Sequence, residues 1–462
     1  MKGFALALSY LLFFCHAYAQ QKVLPLNEFI TLVKQNHPVA KQAAIQVDKA
    51  KAELLSSRGG FDPVFQLETL NKTFDGKNYY FYTNPELKIL TWPGIDVKAG
   101  LENNGGIYID PEYTVGKTSY LGVEVPLARN LLMDKRRAAL QTAKIMVNMG
   151  EQERLQIMNN LLFDAYLSYW NWAGTSQLYN IISRFVDVSA QRLGLVKLAW
   201  QQGDRPAIDT TEALAQLQSF QAMQASALLE LTNARLQVSN YLWNENDTAY
   251  MLPDNFLPDS IKVFQPDDEL VLATLLETSS LSNPSLRMYS FKLDALDIEK
   301  KLKFQSLLPY LNVKANLLNK GYNVVKNVNI PFLENNYKFG VDFKIPLRLS
   351  EGRGDYRKAK LKIEEAKYQF NNKRWEIDNK IRSYFNETVA LQQQINLTQS
   401  AYSGYQTLLR AENIRYQNGE SSLFLINTRE NKVLETAQKI IELQVKWLKA
   451  RYAAEWAAGV LR

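Results

Sequence analysis

The sequence predicts a mainly α-helical protein with a membrane β-barrel, in which long coiled-coil helices accompany four or more strands per chain. Three observations support this fold class. They are an export signal, apolar residues repeated at steps of three and four over very long stretches, and segments with the two-residue period of strands. No segment after the signal has the roughly 20 consecutive apolar residues of a transmembrane helix, so a membrane crossing must use strands.

The composition is that of a folded protein without a nucleic-acid-binding surface. Of the 462 residues, 46% are apolar and 22% are charged, which is too apolar for a disordered chain. The net charge is +7, but the 54 basic residues alternate with 47 acidic ones along the chain. This mixture predicts a solvated surface and no nucleic-acid partner.

The first 19 residues have the features of a secretory signal peptide. Lys2 precedes an apolar run over 4–14, and Ala17-Tyr18-Ala19 is an Ala-x-Ala cleavage site, which predicts a mature chain starting at Gln20. The only cysteine, Cys15, lies inside this signal, after a Phe that is too large for a lipoprotein signal. Without disulfides, the exported chain must be stabilised by core packing or by subunit association.

The mature sequence is predicted to be an internal duplication. Pro38 lies 25 residues before Pro63, and Pro284 lies 25 residues before Pro309. The first repeat is expected at 20–242, with a hairpin at about 61–127 and two long helices meeting near 203. A Pro- and Asn-rich linker at 243–266 follows, and the second repeat at 267–462 has its hairpin at about 309–347 and its helices meeting near 419.

The two predicted hairpins differ in length, since the first contains 26 more residues than the second. The additional residues include 95–102, in which apolar and polar side chains alternate. Either one more strand pair or a long extended loop would account for them.

The long helices carry heptad seams. In the first half the seam consists of Met158, Leu162, Ala165, Tyr169, Trp172, Ser176, Tyr179, Ser183, Val186, Ala190 and Leu193. In the second half it consists of Ile377, Ile381, Tyr384, Thr388, Leu391, Ile395, Thr398, Tyr402, Tyr405 and Leu409. The span 132–200 would be roughly 100 Å long as a helix and needs equally long partners. A four-helix bundle within one chain is the alternative.

The strands predict a barrel shared between chains. Four strands from one chain cannot close a useful barrel, whereas three chains would supply twelve strands and leave no open edge. The alternation of apolar and polar residues suits a wall between lipid and water, although a half-buried soluble sheet shows it too. Candidate interfacial aromatic residues are Phe74, Tyr79, Tyr80, Phe81, Tyr82 and Trp92.

The sequence resembles the TolC family of outer-membrane efflux proteins. The resemblance rests on the duplication, on LPLNEFITLVKQNHPVAKQA at 24–43, on the Pro-Leu that ends each hairpin, and on RYQNGESSLFLINTRENKVLETAQ at 415–438. It implies a homotrimer in the outer membrane of a Gram-negative bacterium, with a twelve-stranded barrel continuous with a periplasmic helical tunnel. It also implies contact with outer-membrane lipid, a periplasmic adaptor protein and an inner-membrane pump.

The resemblance also implies functional residues at the two helix turns. The expected adaptor-docking tips are Gly203, Asp204, Arg205, Gly419, Glu420 and Ser421, and the expected constriction consists of Asp209, Tyr416 and Arg415. The sequence departs from the family where paired acids are common, at Leu425 and Thr428, and where a basic residue is common, at Ser421. Arg205 or Arg415 is a candidate partner for Asp209, which could equally be a helix-cap acid.

The sequence predicts no enzyme, no cofactor and no metal site. After removal of the signal, His37 is the only histidine and no thiol remains, so a nucleophilic triad or a zinc site lacks its residues. The acids at 267–269 are interpreted as the start of a helix, and Arg353-Gly354-Asp355 as a turn that enters a helix capped by Asp355.

The sequence therefore favours the outer-membrane exit channel of a tripartite efflux or secretion system, which passively conducts small toxic compounds or exported proteins. The alternative is a periplasmic coiled-coil adaptor or interaction protein. Such a protein usually has an anchor and compact flanking β domains, and the sequence shows neither. An enzyme on a helical scaffold would need a catalytic constellation.

Overall fold

The computed structural model describes residues 22–261, 269–322 and 336–462. The predicted signal at 1–19, including Cys15, and two of the acids at 267–269, Asp267 and Asp268, lie outside the described residues. Among the helices in the described ranges, none is both long enough and apolar enough to span a membrane.

The elements occur in the same order in the two halves of the chain. The first half has β1 (Lys22–Leu24), α1 (Leu26–Asn36), α2 (Pro38–Arg58), β2 (Val64–Phe74), β3 (Lys77–Leu90), β4 (Asp96–Gly105), β5 (Gly116–Pro126), α3 (Lys135–Gln201) and α4 (Ala207–Ser239). The second half has β6 (Phe256–Pro258), α5 (Glu269–Ser282), α6 (Pro284–Phe304), β7 (Tyr310–Lys320), β8 (Tyr337–Lys344), α7 (Ser350–Gln417) and α8 (Leu423–Ala458).

Corresponding helices of the two halves are nearly equal in length. Helices α2 and α6 have 21 residues each and begin at a proline, whose fixed φ suits the first helical position. Helices α3 and α7 have 67 and 68 residues. The equal lengths support the internal duplication, while its limits at 242 and 267 stay a prediction.

The chain divides into two compact units, and each combines pieces of both halves. The helical unit comprises Met1–Ala44, Arg154–Pro284 and Arg374–Arg462, and the sheet unit comprises Ile45–Glu153 and Ser285–Lys373. The boundaries of the sequence repeats therefore differ from the boundaries of the compact units.

The core of the helical unit forms around aromatic residues. Phe29 and Tyr169 are fully buried, with their rings stacked and their centroids 5.4 Å apart. The Tyr169 hydroxyl donates to the carbonyl of Leu24 at 2.7 Å and accepts from the backbone N–H of Asp259 at 2.8 Å. These two bonds fix the segments that carry β1 and β6, which pair in parallel.

Burial follows the predicted seam along α7 and departs from it along α3. In α3 the seam is buried at Met158, Leu162, Ala165, Tyr169, Trp172, Ser176 and Leu193, but between the last two the buried residues are Ile182 and Ser189, each one position before a predicted seam residue. The prediction of Ala190 was wrong, since this residue is exposed. Burial in this part of α3 follows the neighbouring helices, since Ile182 packs in one cluster with Phe220 of α4 and Leu434 of α8.

Within the described residues, the sheet unit contains one antiparallel sheet of six strands in the order β2-β3-β4-β5-β7-β8. The additional residues of the first hairpin thus form one more strand pair, which decides between the two alternatives. Six strands satisfy the expectation of four or more per chain.

The sheet has one apolar and one polar face. The register aligns Phe65, Leu87, Ala99, Leu121, Leu317 and Tyr337 in one row across all six strands. On the opposite face, ion pairs join neighbouring strands: Lys88 with Asp96 at 3.0 Å, Lys98 with Glu124 at 3.0 Å, and Lys314 with Asp342 at 2.7 Å. The apolar row and the ion pairs therefore lie on opposite faces of the sheet.

The β4–β5 loop, residues 106–115, folds onto the polar face. The backbone N–H of Asp110 donates to the Tyr82 hydroxyl at 3.3 Å, and the Tyr113 ring lies 4.5 Å from the Tyr82 ring. Further along, Glu112 lies 3.4 Å from Lys338 on β8. The loop thus contacts polar-face residues of two strands that are not neighbours in the sheet.

The β3–β4 turn lies against the start of α3. Arg136 contacts Asp96 at 3.3 Å, and Trp92, one of the candidate interfacial residues, packs against Phe61 with 5.5 Å between centroids. Gly94 has φ +87°, and a Cβ there would meet the Arg137 guanidinium at 3.0 Å. This turn is therefore at the same end of the sheet as the start of α3.

The prediction that Asp355 caps a helix was wrong, because α7 already begins at Ser350. Asp355 lies within the helix and pairs with Lys303 at 2.5 Å. Gly352 does not interrupt the helix but allows close packing, since a Cβ would lie 2.6 Å from the carbonyl oxygen of Ser306.

Candidate functional site at the two helix turns

The first candidate region is the turn between α3 and α4. Gly203 has φ +81°, its N–H donates to the carbonyl of Trp200 at 3.0 Å, and the N–H of Asp204 donates to that of Ala199 at 2.9 Å. These two bonds form a Schellman motif, which satisfies the last carbonyls of the long helix. The reversal is completed by Pro206, after which α4 begins.

The turn between α7 and α8 has the same backbone. Gly419 has φ +77°, its N–H donates to the carbonyl of Tyr416 at 3.1 Å, and the N–H of Glu420 donates to that of Arg415 at 2.8 Å. A Cβ at Gly203 or Gly419 would meet no atom within 4 Å. Glycine is thus favoured at both positions by the left-handed backbone and not by lack of space.

Two of the predicted site residues, one from each turn region, contact each other. The Arg205 guanidinium lies 4.3 Å from the centroid of the Tyr416 ring and donates to the Tyr416 carbonyl at 3.3 Å. Burial raises the pKa of Tyr416 above its ordinary value, and the cationic Arg205 opposes this shift. The phenol is therefore neutral at physiological pH, with its ring face towards the cation.

The remaining predicted residues of the second turn interact within that turn. The Ser421 hydroxyl donates to the carboxylate of Glu412 at 2.5 Å, and Glu412 is only 6% exposed. Arg415 donates to the carbonyl of Glu420 at 3.4 Å. Ser421, which replaces the basic residue expected from the family, thus hydrogen-bonds a buried acid of its own turn.

Asp209 is not brought to either of its predicted partners. It lies in the first turn of α4, and its N–H donates to the carbonyl of Pro206 at 3.2 Å. Within the described part of the chain Asp209 forms no ion pair, because Arg205 and Arg415 contact the groups named above.

Sequence reasoning did not identify the buried ion pair of this region. Both guanidinium nitrogens of Arg192 on α3 donate to Glu430 on α8, one of them at 2.6 Å, and the Glu430 side chain is 4% exposed. Asn427 extends the network, since its amide donates to Glu212 on α4 at 3.1 Å. The sequence does hold a signal, because Glu430 occupies a position in the buried seam of α8, where an unpaired charge would be unfavourable.

An open groove lies beside these contacts. It has a volume of about 480 Å³ and is lined by Arg192, Leu195, Arg205, Tyr416 and Ile426, among others. Its wall thus combines apolar side chains with two arginines, and one of these residues, Leu195, is 67% exposed.

Comparisons with known proteins agree with this architecture. The family model described as "Outer membrane efflux protein" matches residues 275–459, which is most of the second half of the chain. No curated protein shows detectable sequence similarity to the chain.

Solved outer-membrane channels share the fold at low sequence identity. The CmeC outer membrane channel of Campylobacter jejuni is 15% identical, with a TM-score of 0.64 over 94% of this chain and 85% of that chain. VceC of Vibrio cholerae is also 15% identical, with a TM-score of 0.65 over 94% of this chain and 95% of that one. The MtrE channel of Neisseria gonorrhoeae, in its open state, is 11% identical, with a TM-score of 0.64 over 94% and 89%. The predicted resemblance is confirmed by the family match together with this shared fold.

Proposed function

We propose, from the match to the outer membrane efflux protein family, that this protein is the outer-membrane exit channel of a tripartite efflux or secretion system. It conducts its cargo passively and carries out no covalent chemistry. Its place is the outer membrane of a Gram-negative bacterium, with a long extension into the periplasm.

The observation that carries this proposal is the two-faced sheet joined to very long helices. One row of apolar residues crosses all six strands, and ion pairs occupy the opposite face. A lipid-facing wall around a water-filled lumen needs this division. Helices of 67 and 68 residues are roughly 100 Å long, which suits a tunnel through the periplasm.

The channel is a homotrimer. A single sheet leaves the outer edges of β2 and β8 without partners, and membrane-spanning sheets avoid open edges by closing into barrels. Three copies related by a three-fold axis close both the barrel and the ring of paired helices.

The two helix turns are the periplasmic tips. A periplasmic adaptor protein docks at Gly203, Asp204, Arg205, Gly419, Glu420 and Ser421, and through it the channel meets an inner-membrane pump. Asp209, Tyr416 and Arg415 line the constriction. The contact between Arg205 and Tyr416 and the buried pair of Arg192 with Glu430 support this assignment, since together they hold three helices in one arrangement.

The mobility of the native protein on a gel tests the proposal. We expect the mature protein in the outer-membrane fraction, migrating as a trimer without heating and as a monomer after heating. A water-soluble monomer in the periplasmic fraction would contradict the exit channel and favour the adaptor. A gene deletion should raise sensitivity to at least one toxic compound, and an unchanged response across a broad panel would favour protein secretion.

A further inference from the structure

The two edges of the sheet are exposed over long strands. All eleven residues of β2 are exposed, among them Phe65 at 69% and Leu67 at 59%. On β8, Phe339 and Phe343 are each 61% exposed. Long apolar edge strands with unpaired backbone groups are templates for pairing with another chain, so these edges need a partner.

Strands β2 and β3 belong to the wall and do not lie over it. Phe65 of β2 and Leu87 of β3 share the apolar row of the sheet. On the polar face, the Gln66 amide donates to Glu86 at 2.9 Å, and the Tyr120 hydroxyl on β5 also donates to Glu86. Strands β2 and β3 are thus joined to the other strands by the same kind of polar contacts that join those strands to one another.

The turns lie alternately at the two ends of the sheet, so the strands run from one end to the other. The β3–β4 turn contacts the start of α3 through Arg136 and Asp96, at the helix end of the sheet. The β2–β3 turn at Asp75-Gly76 and the β4–β5 loop therefore lie at the opposite end. Five of the strands have 10 to 14 residues, enough to cross a bilayer at a tilt, and β8 has 8 described residues.

The edges are compatible with each other. Since every neighbouring pair in the sheet is antiparallel, β2 and β8 run in opposite directions, and β8 of one copy can pair antiparallel with β2 of the next. In that arrangement the apolar row continues from one copy to the next. Glu68 on β2 and Lys344 on β8 form no ion pair within the described sheet and have opposite charges on the same face.

We infer that β8 of each copy pairs with β2 of the next, so that a trimer closes a barrel of eighteen strands and not the twelve that the family resemblance implies. This inference rests on the proposed function. With strands about 4.8 Å apart and tilted by about 40°, eighteen strands give a backbone diameter of roughly 36 Å, against roughly 24 Å for twelve.

The wider barrel bears on the class of cargo. Barrels of sixteen to eighteen strands enclose an aqueous channel, so the membrane exit would admit bulky hydrophilic solutes and unfolded polypeptides. The limit on cargo size then lies at the helix turns and in the pump, and the barrel itself selects little.

Cysteine cross-linking distinguishes the two barrels. In a Cys15→Ser background, which lacks native thiols, Gln66→Cys on β2 is combined in turn with Gly340→Cys, Asp342→Cys and Lys344→Cys on β8. The matched control combines Lys98→Cys on β4 with the same three, because β4 would be the edge of a four-stranded contribution. Membranes are oxidised with copper phenanthroline and analysed with and without reductant.

We expect reducible, covalently linked oligomers from at least one Gln66 pair and none from the Lys98 pairs. Cross-linking of the Lys98 pairs alone would overturn the inference and leave the exit channel intact. If neither series reacts, the strand count by cryo-electron microscopy of the trimer decides: eighteen supports the inference and twelve overturns it. Absence of any membrane oligomer would instead contradict the proposed function.

Discussion

At Gly203 and at Gly419 the chain ends a long helix with the same left-handed residue and the same two backbone hydrogen bonds. The side chains are used differently. In the first turn Arg205 reaches across to Tyr416, whereas in the second Ser421 and Arg415 bind groups of their own turn. The comparison teaches that the duplicated backbone provides two equivalent reversals, and that the contact between them depends on a few side chains.

The largest loss of stability is expected when the buried ion pair between Arg192 on α3 and Glu430 on α8 is broken. Glu430→Gln leaves the Arg192 guanidinium without its counter-ion in a site that is 15% exposed. We expect a destabilisation of about 3–5 kcal/mol, together with a tunnel that leaks hydrophilic antibiotics into the cell. Thermal unfolding and antibiotic susceptibility measure the two effects.

The matched control is Glu435→Gln on the same helix, since Glu435 pairs with Lys432 at 2.7 Å but is 68% exposed. Water and salt screen an exposed pair, so it contributes little and this variant should resemble the wild type. Equal effects of the two substitutions would contradict a special role for the buried pair.

The equivalence of the two turns is tested by replacing their glycines. Gly203→Ala and Gly419→Ala should each destabilise by about 1–2 kcal/mol, because both place a Cβ in the left-handed region. The two losses should be equal in thermal unfolding. Gly203→Val or Gly419→Val should also weaken co-purification of the adaptor.

Gly404→Ala provides the control for space, since this glycine lies inside α7 with no neighbouring atom within 4 Å of a Cβ and with an ordinary φ. Here we expect a stabilisation of about 0.5–1 kcal/mol from the better helix former. A destabilisation at Gly404 similar to that at the turns would show that the left-handed backbone is not the cause.

The contact between the turns is tested by Arg205→Ala. Loss of the cation above the Tyr416 ring should cost about 0.5–2 kcal/mol and should raise the pKa of Tyr416 further, since Arg205 opposes the effect of burial. Ultraviolet titration against a Tyr416→Phe reference measures this change. An unchanged titration curve would show that the two side chains do not interact in solution.

The pH dependence of this site follows from the direction of the shift. Because the pKa of Tyr416 is raised in the folded state, the unfolded state loses its proton first as pH rises. The contribution of Tyr416 to the free energy of unfolding is therefore complete below pH 10, the ordinary pKa of tyrosine, and declines as pH rises above it. In Tyr416→Phe this part of the decline should disappear.

The smallest effect is expected within the second turn. Ser421→Ala removes one hydrogen bond to the buried Glu412, which keeps Arg415 at 3.8 Å, so the local cost should be only about 0.5–1.5 kcal/mol and the contact of Arg205 with Tyr416 should stay unchanged. Hydrogen exchange at 415–422 measures the local opening. Faster exchange at 199–206 as well would show that the turns are more tightly linked than their contacts indicate.

The sequence was sufficient where one short-range rule determines the structure. A glycine followed by the start of a new helix was enough to predict both turns. The heptad pattern correctly predicted the buried side of α7 from Ile377 to Leu391. The pattern failed at Ala190, because burial on that part of α3 depends on which residues α4 and α8 bring against it, and a local pattern does not contain this information.

Long-range pairing could not be read from the sequence in the same way. The alternation at 95–102 was visible in the sequence, but it did not distinguish a strand from an extended loop. That depends on whether neighbouring strands are available to pair with the segment, as β3 and β5 pair with β4. The pairing of Arg192 with Glu430 spans 238 positions and was hidden for the same reason. Glu430 was noticeable as a charge in an apolar seam, but its partner was not.

The β4–β5 loop has a mechanical consequence. Through Tyr82 on β3 and Lys338 on β8 it links, on the polar side, the first and last of five strands that are each about 4.8 Å from the next. Such a link limits how far β3 and β8 can move apart on that side. In the proposed barrel each copy would arrive with this restraint in place, and cutting the loop should let the two strands separate before assembly.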